Sequence, residues 1–455
     1  MIILGREKWF APGILLLLTM IIMENNQPKR PNRREFIKST GKAIAGTTAA
    51  FYIGLPKSFA FTSDTLKVGL IGCGGRGTGA ASQAMSADPH VVLTAMGDVF
   101  RDRLDTSYKA LQESNPDKLK VAEDHKFVGF DAYEKVLASD VDVVILTTPP
   151  SFRPGHLEAA VAAGKHIFCE KPVAVDAPGI RRVIESAKKA KEKNLALMSG
   201  FCWRYDFPKR ETFQRVLDGQ IGDPLTLYNT YNTGELWYRD PAPGWSKMEN
   251  KMRNWIYYNW LSGDHIAEQA VHSLDMMAWA MGDINPVSAT GTGGRQSRIE
   301  EKYGNVYDHF AIAYDYENGA RGFHFSRQQK GASRAYGIDI QGSKGRCEID
   351  VWKKHQLVGE TNWRYKGETN NMYQTEHDEL FASIRDGKPF NDGIRMANST
   401  MLAILGRMVA YTGQTITWEE AMNSTEVLGP ELNQYNWDLD WPDAPVALPG
   451  HTTFQ

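Results

Sequence analysis

The feature that most constrains this chain is a glycine-rich turn set between a strand-like run and a helix-like run. Leu66–Ile71 (LKVGLI) is short and mostly apolar, the pattern of a parallel strand buried on both faces. Gly72-Cys73-Gly74-Gly75-Arg76-Gly77 follows at once, and residues 78–87 are compatible with a helix. A lone G-x-G-x-x-G is weak, but between strand and helix it meets the geometric demand of a dinucleotide pyrophosphate. Gly72 permits the tight turn, Gly74 lets backbone approach the phosphates, and Gly77 allows helix and strand to pack closely. Gly75 and Arg76 complete the loop facing the nucleotide, whose phosphates would sit on free N–H groups at the helix N-terminus. The competing reading is a glycine-rich turn with no ligand. Cys73 reads as a small filler, not a nucleophile.

A second strand, residues 91–96, ends at Asp98, 21 residues beyond Gly77, where an acid should hold the adenosine ribose hydroxyls. Asp98 would repel a 2′-phosphate and so favours NAD; Arg101 and Arg103 nearby keep NADP open. Alternation continues with a strand at 141–146 closing on Thr147-Thr148-Pro149-Pro150, a helix at 155–163 and a strand at 166–169. A basic amphipathic helix at 180–193 and a strand at 196–198 complete it. Strands alternating with helices predict a doubly wound parallel sheet, a Rossmann domain over residues 64–199. Ligands bind such sheets beyond the carboxyl ends of the strands, where Thr148, Pro149 and Glu170-Lys171-Pro172 fall. From residue 200 to 455 the pattern changes. Strands at 225–233, 310–316, 322–327, 336–341 and 347–351 predict an α+β domain with a mostly antiparallel open sheet. One face of that sheet would serve as a homo-oligomer interface, in a dimer or tetramer.

Residues 262–281 read as one helix with Ser262 or Asp264 as its N-cap. Glu268, His272 and Asp275 then fall at i, i+4 and i+7 on one face. A histidine suits proton abstraction because it titrates near neutrality. His265 shares that face and could join Glu268 and His272 around a metal, but the spacing fits no standard zinc motif, so no metal is expected. Lys171 at a strand end can orient a hydroxyl and stabilise alkoxide charge; the bland alternative is a surface lysine paired with Glu170.

With the glycine turn, the Thr-Thr-Pro-Pro strand end, Glu170-Lys171-Pro172 and the acid–x₃–His–x₂–Asp element, the chain resembles the Gfo/Idh/MocA oxidoreductases over about residues 64–440. The resemblance implies that Lys171 contacts both the nicotinamide and the reacting hydroxyl and that His272 is the general base. That family usually has Asp where this chain has Glu268. It implies an NAD(P)-dependent sugar or glycoside dehydrogenase acting on a small carbohydrate. One rival is an NAD-dependent glycosidase working by transient C3 oxidation and elimination; another is a non-catalytic sugar- or nucleotide-binding protein. Arg204, Tyr205, Trp260 and Asp275 are the candidate substrate contacts. Nine Trp or Tyr residues lie between Tyr228 and Trp260, forming either a sugar pocket or a core. Residues 373–378 begin a further helix that could contribute substrate contacts, with a structural role for His377 as the other reading.

Composition is that of a globular protein, 42% hydrophobic and 23% charged, which excludes a disordered chain or a coiled coil. Four cysteines make no disulfide framework. The N-terminus stands apart. Asn32-Arg33-Arg34-Glu35-Phe36-Ile37-Lys38, a weakly apolar stretch and Ser58-Phe59-Ala60 resemble a twin-arginine export signal, with cleavage after Ala60 and a periplasmic destination. The apolar run at 11–22 is too short for a normal membrane span, and Met23 reads as the better start. A disordered basic tail and a membrane anchor are the alternatives for this segment. Residues 1–60 hold nine basic and three acidic residues, so the remainder carries about eight net negative charges. Nucleic acid and membrane are therefore not expected partners of the mature form. A periplasm lacks a free dinucleotide pool, so the nucleotide is expected to be tightly bound.

Overall fold

Runs of Val, Ile and Leu build the first layer of the computed structural model, which describes residues 64–454. The twin-arginine segment, the cleavage site after Ala60 and the choice of Met1 or Met23 lie outside the described residues. Strands β1 (Leu66–Ile71), β2 (Val91–Asp98), β3 (Lys126–Val128), β4 (Val143–Leu146), β5 (His166–Cys169) and β6 (Leu197–Ser199) form one parallel sheet ordered β3-β2-β1-β4-β5-β6. Every residue of β4 is buried, as a strand covered on both faces requires. Helices α1 (Gly75–Ala87), α2 (Arg101–Ser114), α3 (Ala132–Ala138), α4 (Arg153–Ala162) and α5 (Ala177–Glu192) supply that cover. Asp176 caps α5 by accepting from the Gly179 amide at 2.8 Å. This is the expected Rossmann arrangement.

The second half contains α6 (Phe207–Leu217), α7 (Lys247–Arg253), α8 (Asn259–Ser262), α9 (His265–Glu268), α10 (Val271–Ala280), α11 (Met372–Arg385) and α12 (Gly393–Thr412). Its sheet comprises β7 (Pro224–Thr233), β8 (Ser288–Gly294), β9 (His309–Asp315), β10 (Arg321–Gln328), β11 (Ala335–Gly342), β12 (Gly345–Asp350), β13 (Lys354–Gly359), β14 (Trp363–Arg364) and β15 (Ile416–Thr417). The order is β14-β13-β12-β11-β7-β10-β9-β8-β15. Only the β7–β10 pair is parallel, so the sheet is mostly antiparallel, as expected. Its strands alternate buried and exposed positions: one face packs on α10 and α12, and the other leaves Tyr228 and Phe325 exposed.

The sheets part near residue 199, but the packing does not. Helix α11 returns to lie on α1, and α12, buried from Ser399 to Thr412, packs on α5 and β8. Residues 62–455 accordingly cluster as one unit.

Candidate active site

The glycine turn forms one wall of a cleft of about 380 Å³. Gly72 has φ +98°, and a Cβ there would meet the Thr147 and Thr148 backbone at 2.7 Å. A Cβ on Gly77 would lie 2.0 Å from the Gly72 carbonyl oxygen, so only glycine lets α1 start this close to β1. At Gly74 and Gly75 the same atom would meet nothing nearer than 3.6 Å. Gly74 caps α1 without a side-chain bond, leaving the first amides of the helix free for an anion. Asp98 lines the opposite side; its two oxygens accept from the Cys73 amide (2.6 Å) and the Phe100 amide (2.8 Å). Thr148 and Pro149 complete the wall, with Thr148 Oγ1 3.2 Å from His156 Nδ1. A glycine cradle, an uncapped helix start and an acid at the end of β2 fit an NAD-type dinucleotide. Burial pushes the Cys73 thiol well above its ordinary value, which suits a filler.

A further wall of the cleft comes from beyond the first sheet. Trp237, Arg239, Met252 and Trp255, from the segment after β7, line it as well. Much of the aromatic run does not form a sugar pocket. Tyr257, Tyr258 and Trp260 join Phe100 and Phe152 of the Rossmann half and Tyr435 of the C-terminal segment in a second hydrophobic core. The segment is a cover over the nucleotide cleft. It is latched by Arg253, which donates to both Asp102 oxygens at 3.0 and 3.1 Å and stacks 4.0 Å from the Phe100 centroid.

Lys171, Glu268 and His272 meet at the carboxyl end of β5. The Lys171 ammonium donates to the Glu268 carbonyl oxygen at 2.6 Å. Glu170 turns away from the reacting end: its carboxylate accepts from the Lys171 amide at 3.0 Å and from Arg76 Nε. The His272 ring stacks on Trp203 (centroids 5.0 Å apart, 27° between planes) and its Nδ1 is buried without a partner. Burial holds the imidazole well below its ordinary pKa, and the cations Lys171, Arg76 and Lys209 push the same way. The ring is therefore neutral at neutral pH. Burial raises the Glu268 carboxyl, which Lys171 partly opposes.

Several expectations need correction. The single helix over 262–281 is broken: Gly263 (φ +75°) and Asp264 (φ +69°) end α8, and Gln269-Ala270 separate α9 from α10. Asp264 is the N-cap, but of α9 alone. Arg204 and Asp275 are not substrate contacts, because they satisfy each other. Arg204 donates to both Asp275 oxygens at 2.8–3.0 Å and also to Asp283, while Ser399 Oγ donates to Asp275 at 2.7 Å. Both side chains are buried. Tyr205 is buried under Arg210 (4.9 Å), and Trp260 is buried with its indole N–H on Asp443 at 3.3 Å. Arg76 borders the cleft, but its guanidinium is held by Glu170, by Glu376 at 2.8 Å and by Gln83 at 2.9 Å. His265 points away from the site, its ring nitrogens 3.3 Å from the Tyr307 carbonyl and 3.2 Å from Ser326 Oγ. Among the described residues no three His, Cys, Asp or Glu side chains are grouped as a metal ion requires. His377 is buried against Phe168, centroids 4.3 Å apart. Trp203, the ring under His272, escaped the sequence reading although it follows the carboxyl end of β6, a position where ligands bind in such sheets.

A glycine-lined cleft at the carboxyl ends of a six-stranded parallel sheet is the mark of an NAD-binding oxidoreductase. Residues 66–199 match the oxidoreductase family, NAD-binding Rossmann fold, of Gfo/Idh/MocA, and residues 210–348 match the Gfo/Idh/MocA C-terminal domain. The chain belongs to the Gfo/Idh/MocA oxidoreductase family. It is 26% identical over 336 residues to a myo-inositol 2-dehydrogenase of Thermotoga maritima, covering 71% of this chain and 90% of that one. It is 29% identical over 228 residues to an inositol 2-dehydrogenase of Serratia proteamaculans, covering 48% of this chain and 55% of the relative. An aldose-aldose oxidoreductase from Caulobacter crescentus, complexed with glycerol, shares the fold with a TM-score of 0.61 at 20% identity over 78% of this chain and 99% of that chain. Levoglucosan dehydrogenase, solved with NADH and levoglucosan, does so with a TM-score of 0.60 at 19% identity over 78% and 99%.

Proposed function

We propose that the protein oxidises a ring hydroxyl of a sugar, glycoside or inositol-type polyol. The observation that carries this reading is the meeting of Lys171, Glu268 and His272 next to Glu170, which holds the cleft-lining Arg76. A nicotinamide dinucleotide, when bound, supplies the hydride acceptor. Gly72, Gly74, Gly77, Asp98, Thr148 and Pro149 would hold it. His272, kept neutral, takes the hydroxyl proton as hydride departs. Lys171 shares its N–H donors between the Glu268 carbonyl and the substrate oxygen, and stabilises negative charge developing there. Trp203 fixes the plane of the imidazole from below. Inositol and sugar substrates of the similar proteins support the substrate class.

Asp98 favours NAD over NADP, and the latched cover supports a nucleotide retained between turnovers. Retention in turn suits export: twin-arginine translocation carries folded proteins with cofactor in place. The exposed Tyr228 and Phe325 face supports a homo-oligomer. No helix among the described residues is long and apolar enough to cross a membrane. One experiment tests the reading. Purified protein is denatured and any released nucleotide identified by mass, and native protein is incubated with sugars, inositols and nitrophenyl glycosides. Keto-product is expected. Aglycone release without net nicotinamide reduction would instead favour the glycosidase, and absence of any bound or bindable dinucleotide would overturn both. The N-terminal mass of the native protein checks cleavage after Ala60.

A further inference from the structure

A second cavity, about 410 Å³, lies between the start of α6, the β12–β13 turn and the start of α11. It is separate from the nucleotide cleft, and its walls are built. Lys209, buried, donates to the Val351 carbonyl at 3.0 Å and to Asp206 at 2.8 Å, tying the turn to α6. Asn370 donates to the Tyr205 carbonyl at 2.7 Å, fixing the opposite side. On this frame Trp352 is 60% exposed, a large indole held at the cavity edge with no core to cover it. Tyr365 and Arg364 flank it, and Arg364 makes no ion pair among the described residues. In the floor the buried His355 has an Nε2 atom without a partner. Burial pushes that imidazole down to about 4, so it is neutral and can both donate and accept.

An exposed aromatic plate beside a few fixed polar groups is the chemistry that recognises a sugar ring: the ring's C–H face packs on the indole and its hydroxyls meet the polar groups. The position adds meaning. Trp203 is stacked under His272 at 5.0 Å, and its edge meets Trp352 at 6.4 Å and 89°. The cavity therefore stands one indole away from the candidate base.

We propose that this cavity is a second saccharide subsite, taking a ring of the substrate remote from the one oxidised, so that the substrate is a glycoside or oligosaccharide of at least two rings. The proposal rests on the oxidoreductase reading for the oxidised ring, but its binding half stands alone. Glucose, maltose, cellobiose and xylobiose are titrated into the full chain by ligand-observed NMR, with wild type, Trp352→Ala and Trp352→Phe. Their kcat/KM values are then compared. At least one disaccharide should bind more tightly than glucose, and Trp352→Ala should weaken it about tenfold while Trp352→Phe restores most of the loss. The disaccharide-to-glucose ratio of kcat/KM should fall by a similar factor. Equal binding of disaccharides by wild type and Trp352→Ala, or no preference for any disaccharide over glucose, overturns the subsite. Trp352-dependent binding with no nicotinamide reduction by any sugar keeps the subsite and overturns the dehydrogenase reading instead.

Discussion

The Lys171 ammonium is anchored on the backbone carbonyl of Glu268, 97 residues later in the chain, at 2.6 Å. That bond fixes a flexible side chain without a countercharge, since a carbonyl accepts but carries no formal charge, and in the proposed reaction the ammonium would meet the reacting oxygen. Lys171→Met should therefore lower kcat by about 10²–10³, the usual cost of losing one donor to a developing oxyanion. Nucleotide affinity should change far less. Parallel measurement of kcat and nucleotide Kd checks this, and an equal loss in both would reassign Lys171 to cofactor binding.

Acid should reveal the state of His272. Its pKa is depressed, so the neutral, active form persists below the ordinary histidine value of about 6.5. The log of kcat/KM should stay flat from neutrality through pH 6.5 and decline only well below it. A limb centred at or above 6.5 would show that another group is the base. His272→Gln should remove most activity and the acid limb with it.

Stability should follow a separate acid profile. Burial holds the imidazoles of His156 and His324 at about 3 and that of His355 at about 4 in the folded protein. The unfolded chain protonates these groups near 6.5, so it binds protons that the folded state refuses. Stability is then full above pH 6.5 and falls as pH drops toward 4, by about 1.4 kcal/mol per pH unit for each histidine. Denaturant midpoints between pH 7 and 4.5 measure this; a midpoint that does not move would show that these rings are solvated.

Much of the first sheet was legible because its determinants are local. Strands buried on both faces must be short apolar runs, and a turn whose backbone touches the next strand accepts only glycine. Asp98 needed only counting. The site beyond it depends on pairings far apart in sequence. Nothing near Arg204 announces that Asp275, 71 residues on, will consume its charge. Nothing near Trp260 foretells the Asp443 carboxylate, 183 residues away. The break between α9 and α10 was hidden because the i, i+4, i+7 spacing is the same whether or not the helix is continuous. Trp203, beside the charged Arg204, stacks on His272 from 69 residues away, a pairing that no local pattern encodes.

In the proposed reading Asp98 sets nucleotide choice in competition with a nearby arginine. Arg103 lines the same cleft, with its pKa lowered by burial and by Arg239 and Arg253 and raised by Asp98. Asp98→Asn leaves an oxygen for the Cys73 or Phe100 amide but removes the negative charge. NAD affinity should fall about tenfold, and NADP affinity should rise as Arg103 acts unopposed. Titration of both nucleotides decides this. A parallel fall for both would mean that Asp98 serves only to hold the turn.

The cover segment makes the last prediction. Arg253 joins it to the Rossmann half through two bonds to Asp102 and a contact to Phe100, and packs on Trp245 of its own segment at 4.7 Å. Asp102 is largely exposed, so the ion pair alone contributes little. The stacked guanidinium between two rings contributes more, because it is mostly buried. Arg253→Ala removes both and should loosen the cover without touching the glycine turn. Nucleotide dissociation should speed up by about tenfold or more, whereas Asp102→Ala should change it by less than threefold. Both rates follow from nucleotide remaining after timed gel filtration into nucleotide-free buffer. If Arg253→Ala releases nucleotide no faster than wild type, the cover is a packing element and retention must be sought in the cleft itself.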